Sequence, residues 1–183
     1  MKAYWIKYLI LTVILFAGLS LVSCARVPVR ENPPLQVVAH VDLKRYLGRW
    51  YEIARYPHSF EDKCFAVTAD YKLLDDGSIQ VINRCRFGGL DGELKEAEGK
   101  AHVVDTETNA RLEVTFFWPF YGDYWIIELD ESYRFVVVSE PKRQHLWILS
   151  RTPVMKESHY QELIEKLKTR GFDLSLLFKT PQI

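Results

Sequence analysis

From residue 49 to residue 151 the apolar positions come in short runs of period two, each closed by a turn signal. Val67, Ala69, Tyr71 and Leu73 share one face of such a run, with Thr68, Asp70 and Lys72 on the other. Leu112, Val114 and Phe116 alternate in the same way with Arg111, Glu113 and Thr115. A period of two with polar outer positions predicts strands with one buried and one wet face. Eight strands are expected, over roughly 49–56, 64–74, 78–87, 94–104, 110–117, 123–130, 134–140 and 145–151. Asp75–Ser78, "DDGS", marks a hairpin between the second and third, because its Gly supplies the positive φ of a tight turn.

The period then changes. Tyr160, Leu163, Ile164 and Leu167 stand at i, i+3, i+4 and i+7, one apolar stripe of a helix. Glu162 and Lys166 pair on its exposed side, and Gly171 ends it. A further single helical turn, capped by Asp42, is expected just before the first strand. Short connections between regularly spaced strands predict an antiparallel meander. Eight strands leave two exposed edges unless the sheet closes, and closure removes both. The expected fold is therefore all-β, an eight-stranded antiparallel up-and-down barrel with one C-terminal α-helix packed outside. A barrel of this size has room for one small ligand.

Ahead of the strands the pattern is different. Leu9–Leu19 is almost wholly apolar, follows Lys2 and Lys7, and is too short to span a bilayer comfortably. It runs into Leu21-Val22-Ser23-Cys24, which resembles a bacterial lipobox. Residues 1–23 then read as a lipoprotein signal peptide and Cys24 as the lipidation site. Ala25 is not an inner-membrane retention residue, so the resemblance implies the outer membrane, with the lipid-anchored domain facing the periplasm. Residues 24–38 hold three Pro in "ARVPVRENPP" and read as a tether; 39–183 is the barrel domain.

Composition narrows the partners. Without Lys2 and Lys7 the 24 basic residues fall to 22 against 24 acidic ones, and no basic stripe appears, so nucleic acid is not expected. An apolar share of 48% is too high for a disordered chain. In an exported protein Cys64 and Cys85 are expected to form a disulfide, with two free thiols as the alternative. Register counted from the hairpin sets Val67 opposite Cys85 and leaves Cys64 three residues away. A bond therefore requires a bulge or bend near Cys64.

Three motifs carry a family resemblance. Gly48-Arg49-Trp50 resembles the G-x-W signature of the lipocalins, and "LWILSRTP", Leu146–Pro153, their closing motif. "LDESY", Leu129–Tyr133, resembles the middle motif in the form used by the bacterial and apolipoprotein D branch. The resemblance implies that Gly48, Trp50, Tyr133 and Arg151 are structural. Trp50 plugs the closed end, Arg151 lies across its indole and donates to carbonyls of the preceding helical turn, and Gly48 permits a close approach.

The resemblance also implies Tyr121 and Trp147 as pocket residues. Alternation adds Tyr71, Val81, Asn83, Val114 and Phe116, with Asn83 a polar amide aimed inward that needs a partner. Trp147 lies four residues from Arg151 on the same strand face, roughly 13 Å nearer the mouth at about 3.3 Å per residue. The expected function is binding, storage or transport of fatty acids or lysophospholipids in the cell envelope. No cofactor or metal is expected, since no two of the five His lie within four residues of each other and no G-x-S-x-G or phosphate loop is present. An enzyme on the same fold, and a structural envelope protein with a filled barrel, stay open as alternatives. Surface apolar residues leave room for a homodimer.

Overall fold

The computed structural model describes residues 32–183. The signal peptide, Cys24 and tether residues up to Glu31 lie outside the described residues. Eight strands form one meander, β1 (Gly48–Arg55), β2 (Cys64–Leu73), β3 (Ile79–Phe87), β4 (Glu93–Val103), β5 (Arg111–Phe117), β6 (Phe120–Leu129), β7 (Phe135–Ser139) and β8 (Leu146–Ser150). Each pairs antiparallel with the next, and β1 pairs with both β8 and β2, so the sheet closes. The expected strands are all present. The largest shift of a boundary is at β6, which begins at Phe120 rather than 123.

Two apolar layers hold the barrel. The inner one joins Trp50, Tyr71, Ile79, Val81, Leu112, Ile126, Val136 and Leu149. The outer one lies between the outward faces of β1, β6, β7 and β8 and the helix α2 (Glu157–Thr169), where Ile127, Val137 and Ile148 meet Tyr160, Leu163 and Leu167. Covered on both sides, β7 reads Phe-Val-Val-Val-Ser with every residue buried. Lys166 pairs with Glu162 at 2.9 Å, and Gly171 takes φ +79° after the helix end.

The packed body begins ahead of residue 39, which corrects the expected tether boundary. Leu35 is buried in the outer layer, and the Val38 N–H donates to the Ile126 carbonyl. Leu73, expected inward, is exposed because it ends β2 at the hairpin.

A ninth strand was not expected. β9 (Phe178–Lys179) pairs with Ala54 and Arg55 of β1. β1 pairs with β2 only as far as Tyr51, and the two strands then part. The C-terminal segment fills that gap: Thr180 N–H donates to Ile53 O, Ala66 N–H to Pro181 O, and Gln182 Nε2 to both Glu52 O and Val67 O. Two residues of pairing carry no readable period, so nothing in the pattern announced this strand.

Candidate functional site

The two ends of the barrel differ. One end carries the β2–β3, β4–β5 and β6–β7 connections and the one-turn helix α1 (Leu43–Tyr46), capped by Asp42. There Trp50 is wholly buried, its Nε1 donating to Tyr46 O at 2.8 Å. The Arg151 guanidinium lies 3.8 Å from the Trp50 ring and donates to the carbonyls of Arg45, Tyr46, Arg49 and Tyr133. Two of those carbonyls end α1, so Arg151 satisfies acceptors that a single turn leaves open. Tyr133 sits at φ +59°, and its hydroxyl accepts from Asp42 N–H. Gly48 is required for its φ of +90° rather than for a close approach. A Cβ there would meet Arg151 Nη1 at an ordinary 3.6 Å.

Above this plug three tyrosines form a polar floor. Tyr124 hydroxyl bonds to Tyr46 at 2.6 Å and Tyr71 at 2.9 Å. Burial pushes all three hydroxyls up, Tyr71 to about 12, so they remain neutral donors and acceptors. Below the floor is a void of about 10 Å³ among side chains that include Ile79, Ala101 and Leu112. Above it opens a cavity of about 790 Å³, reaching the opposite end of the barrel.

All seven residues expected to line the pocket line this cavity: Tyr71, Val81, Asn83, Val114, Phe116, Tyr121 and Trp147. Among the described residues Asn83 Oδ1 is buried without a hydrogen-bond partner. Phe116 has room because Gly99 stands beside it; a Cβ at Gly99 would come within 2.8 Å of its ring. Trp147 Nε1 donates to Glu61 Oε2 at 3.3 Å. Its one donor is thus engaged by the protein, and the indole offers a wall rather than a free N–H.

Pattern reading missed the charged cluster on the β1 side of the cavity. Glu52 and Glu61 are buried and share Arg55, whose Nη1 is 2.6 Å from Glu52 and whose Nε is 3.7 Å from Glu61. Thr180 donates to Glu52, and His58 Nε2 lies 3.0 Å from Glu61. One guanidinium between two carboxylates cannot neutralise both. Burial, and then the charge on Glu61, push the Glu52 carboxyl up. Burial also raises Glu61, but the contacts of His58, Trp147 and Arg55 outweigh it, and this carboxyl falls below its ordinary value. "YEIAR" alternates like any strand, and the tail that seals Glu52 comes from more than 120 residues away.

The same side carries the disulfide between Cys64 and Cys85, with Cα atoms 5.4 Å apart. The required bulge is present. The register passes from Thr68↔Arg84 to Phe65↔Arg86, with Ala66 at φ +47°. Two residues of β2 thus oppose one of β3, which brings Cys64 opposite Phe87, two residues from Cys85. Among the described residues no group of three or more His, Cys, Asp or Glu is placed to hold a metal ion.

A closed eight-stranded meander with a plugged base, an open cup and an outer helix defines a ligand-binding barrel. Residues 41–182 match the model of the lipocalin-like domain. The chain is 43% identical over 176 residues to the outer membrane lipoprotein Blc of Vibrio cholerae, covering 96% of this chain and 97% of that one. It is 44% identical to Blc of Escherichia coli over 87% of this chain and 88% of that one. Apolipoprotein D of Mus musculus is 34% identical over 87% of this chain and 82% of that one. Among solved structures, insecticyanin of the tobacco hornworm Manduca sexta superposes with a TM-score of 0.67 at 21% identity, covering 84% and 87% of the two chains. The chain belongs to the lipocalins, in their branch of bacterial outer-membrane lipoproteins.

Proposed function

We propose that this outer-membrane lipocalin holds a single-chain lipid, a fatty acid or a lysophospholipid, with its acyl chain in the cup and its head group at the mouth. The reading includes attachment through a lipid on Cys24 and a domain facing the periplasm. The observation that carries it is the cavity of about 790 Å³, which falls within the range of roughly 300–1,000 Å³ typical of ligand sites. Its walls at Val67, Ala69, Val81, Val114 and Leu149 are apolar. Each methylene buried there stabilises by about 0.8 kcal/mol, so walls of this kind suffice for affinity. Nearer the mouth Lys142 and Lys95, the latter also paired with Glu93, supply cations for a carboxylate or phosphate, and Asn83 Oδ1 supplies an acceptor for a head-group donor.

Trp147 is the reporter. Adding a long-chain fatty acid or a lysophospholipid to delipidated protein should change tryptophan emission, and the change should vanish in Trp147→Phe. Trp147→Ala should weaken binding about tenfold while the barrel stays folded. If delipidated protein takes up neither lipid at micromolar concentration, the reading fails.

A further inference from the structure

Three of the four connections at the mouth are apolar in a way that the other end is not. The β5–β6 tip exposes Phe117, Trp118 and Phe120 at 76%, 77% and 71%, and the β1–β2 connection exposes Phe60 at 67%. Leu90 and Leu94 of the β3–β4 hairpin are also exposed there. Among the described residues each connection at the closed end exposes at most a single aliphatic, Leu73, Val104 or Val154, and no large aromatic stands clear. We infer that this aromatic rim docks into the surface of the phospholipid bilayer to which the protein's own N-terminus is anchored, so that the cup opens onto the membrane.

Three observations select a bilayer as the occupant. The first is where the chain enters the body. Arg143, in the β7–β8 connection at the mouth, donates to Pro33 O at 2.6 Å, and Asn32 lies against Gly171 just past the α2 C-terminus at the same end. From there residues 33–41 run toward the base, where Val41 N–H donates to Thr108 O. The second is reach. Cys24 is eight residues before Asn32, a span of at most about 29 Å when fully extended. A strand of ten residues is about 33 Å long, which at a tilt of roughly 40° gives about 25 Å of barrel height. A lipid on Cys24 thus holds the mouth close to the membrane, whereas laying the base on it would take nearly the whole tether stretched back along the barrel.

The third is chemistry. Trp and Phe are suited to the headgroup boundary, where an apolar ring meets a wet layer. The charges around the rim are mixed, with Lys95, Lys142 and Arg143 beside Glu93, Glu96 and Glu140. Docking should therefore need no anionic lipid and should respond little to salt.

The inference rests on lipidation at Cys24, not on what the cup holds. The lipidated protein, reconstituted in phosphatidylethanolamine–phosphatidylcholine vesicles with brominated acyl chains, provides the test. Removal of the leader removes Trp5 and leaves Trp50, Trp118, Trp125 and Trp147. Brominated lipid should quench the wild type and quench Trp118→Phe at least about twofold less, equally at about 50 and 500 mM salt. Phe117→Ser with Phe120→Ser, at exposed positions, should restore access of aqueous iodide to Trp118. The inference is overturned if iodide reaches Trp118 equally with and without membranes. It is also overturned if Trp118 is shielded from both quenchers in a protein that sediments as a dimer, since the rim would then join two copies of the chain.

Discussion

Arg151 and Glu52 show how far single side chains decide the behaviour of this barrel. Arg151 combines one cation–π contact with bonds to four carbonyls at the plugged base, remote from the cup. Arg151→Ala should cost about 2–4 kcal/mol and lower the melting temperature by roughly 5–15 °C, because four carbonyls lose their donor and the Trp50 ring its cation at once. Affinity for a fatty acid, measured below the new transition, should stay within about twofold. Glu52 behaves differently because burial favours its neutral form. Its folded-state value lies above the unfolded one, so its contribution to stability is full below the ordinary carboxylate range. That contribution is lost as pH rises toward the folded value. Glu52→Gln keeps the neutral shape and cannot ionise. Measured at about pH 5 and about pH 9, its stability relative to wild type should rise by at least about 1.4 kcal/mol, the worth of one pKa unit. A constant difference across that range would mean that Glu52 is ionised throughout.

At the scale of elements, the C-terminal segment is the part that the strand count does not anticipate. β1 and β2 part after Tyr51, and Phe178–Gln182 fills the opening with six backbone and side-chain hydrogen bonds, in addition to the β9 pairing. The segment also covers Arg55 and Glu52. Deleting residues 178–183 should therefore leave two carboxylates and a guanidinium on an open seam. The truncated protein should unfold at a urea midpoint lower by about 1 M or more, and the amide of Ala66, which donates to Pro181 O, should exchange first. The disulfide crosses the same region, where the bulge at Ala66 brings Cys64 and Cys85 together. Both features strengthen the side of the barrel on which β1 leaves its partner.

The whole molecule is built with a packed base and an empty cup. A ligand that fills the cup binds only the folded chain, so it should stabilise in proportion to the logarithm of its concentration. A fatty acid at about one hundred times its Kd should add about 2.7 kcal/mol and raise the melting temperature by roughly 5–10 °C. Amide exchange should slow mainly in the cup half of β2, β3 and β5, since the base around Trp50 is closed without ligand. Uniform protection at both ends would place the ligand elsewhere.

Much of this was legible in the chain itself. Period-two alternation fixes which face of each strand is apolar, and by itself it places Tyr71, Val81, Asn83, Val114 and Phe116 inward. A change to period 3.6 locates α2, and Gly77 and Gly171 mark turns by backbone geometry alone. These are local properties, set by the residues that carry them. The tertiary structure decided what depends on meetings between distant segments. The floor joins Tyr46, Tyr71 and Tyr124 from three elements, so no window of sequence contains it. Glu52 is held neutral by burial, which the C-terminal tail completes from a distance, and by the charge of Glu61. The depth of the cup depends on where the tyrosine floor falls between plug and mouth. Whether facing side chains fill a barrel or leave about 790 Å³ open is a property of their summed packing, which periodicity cannot encode.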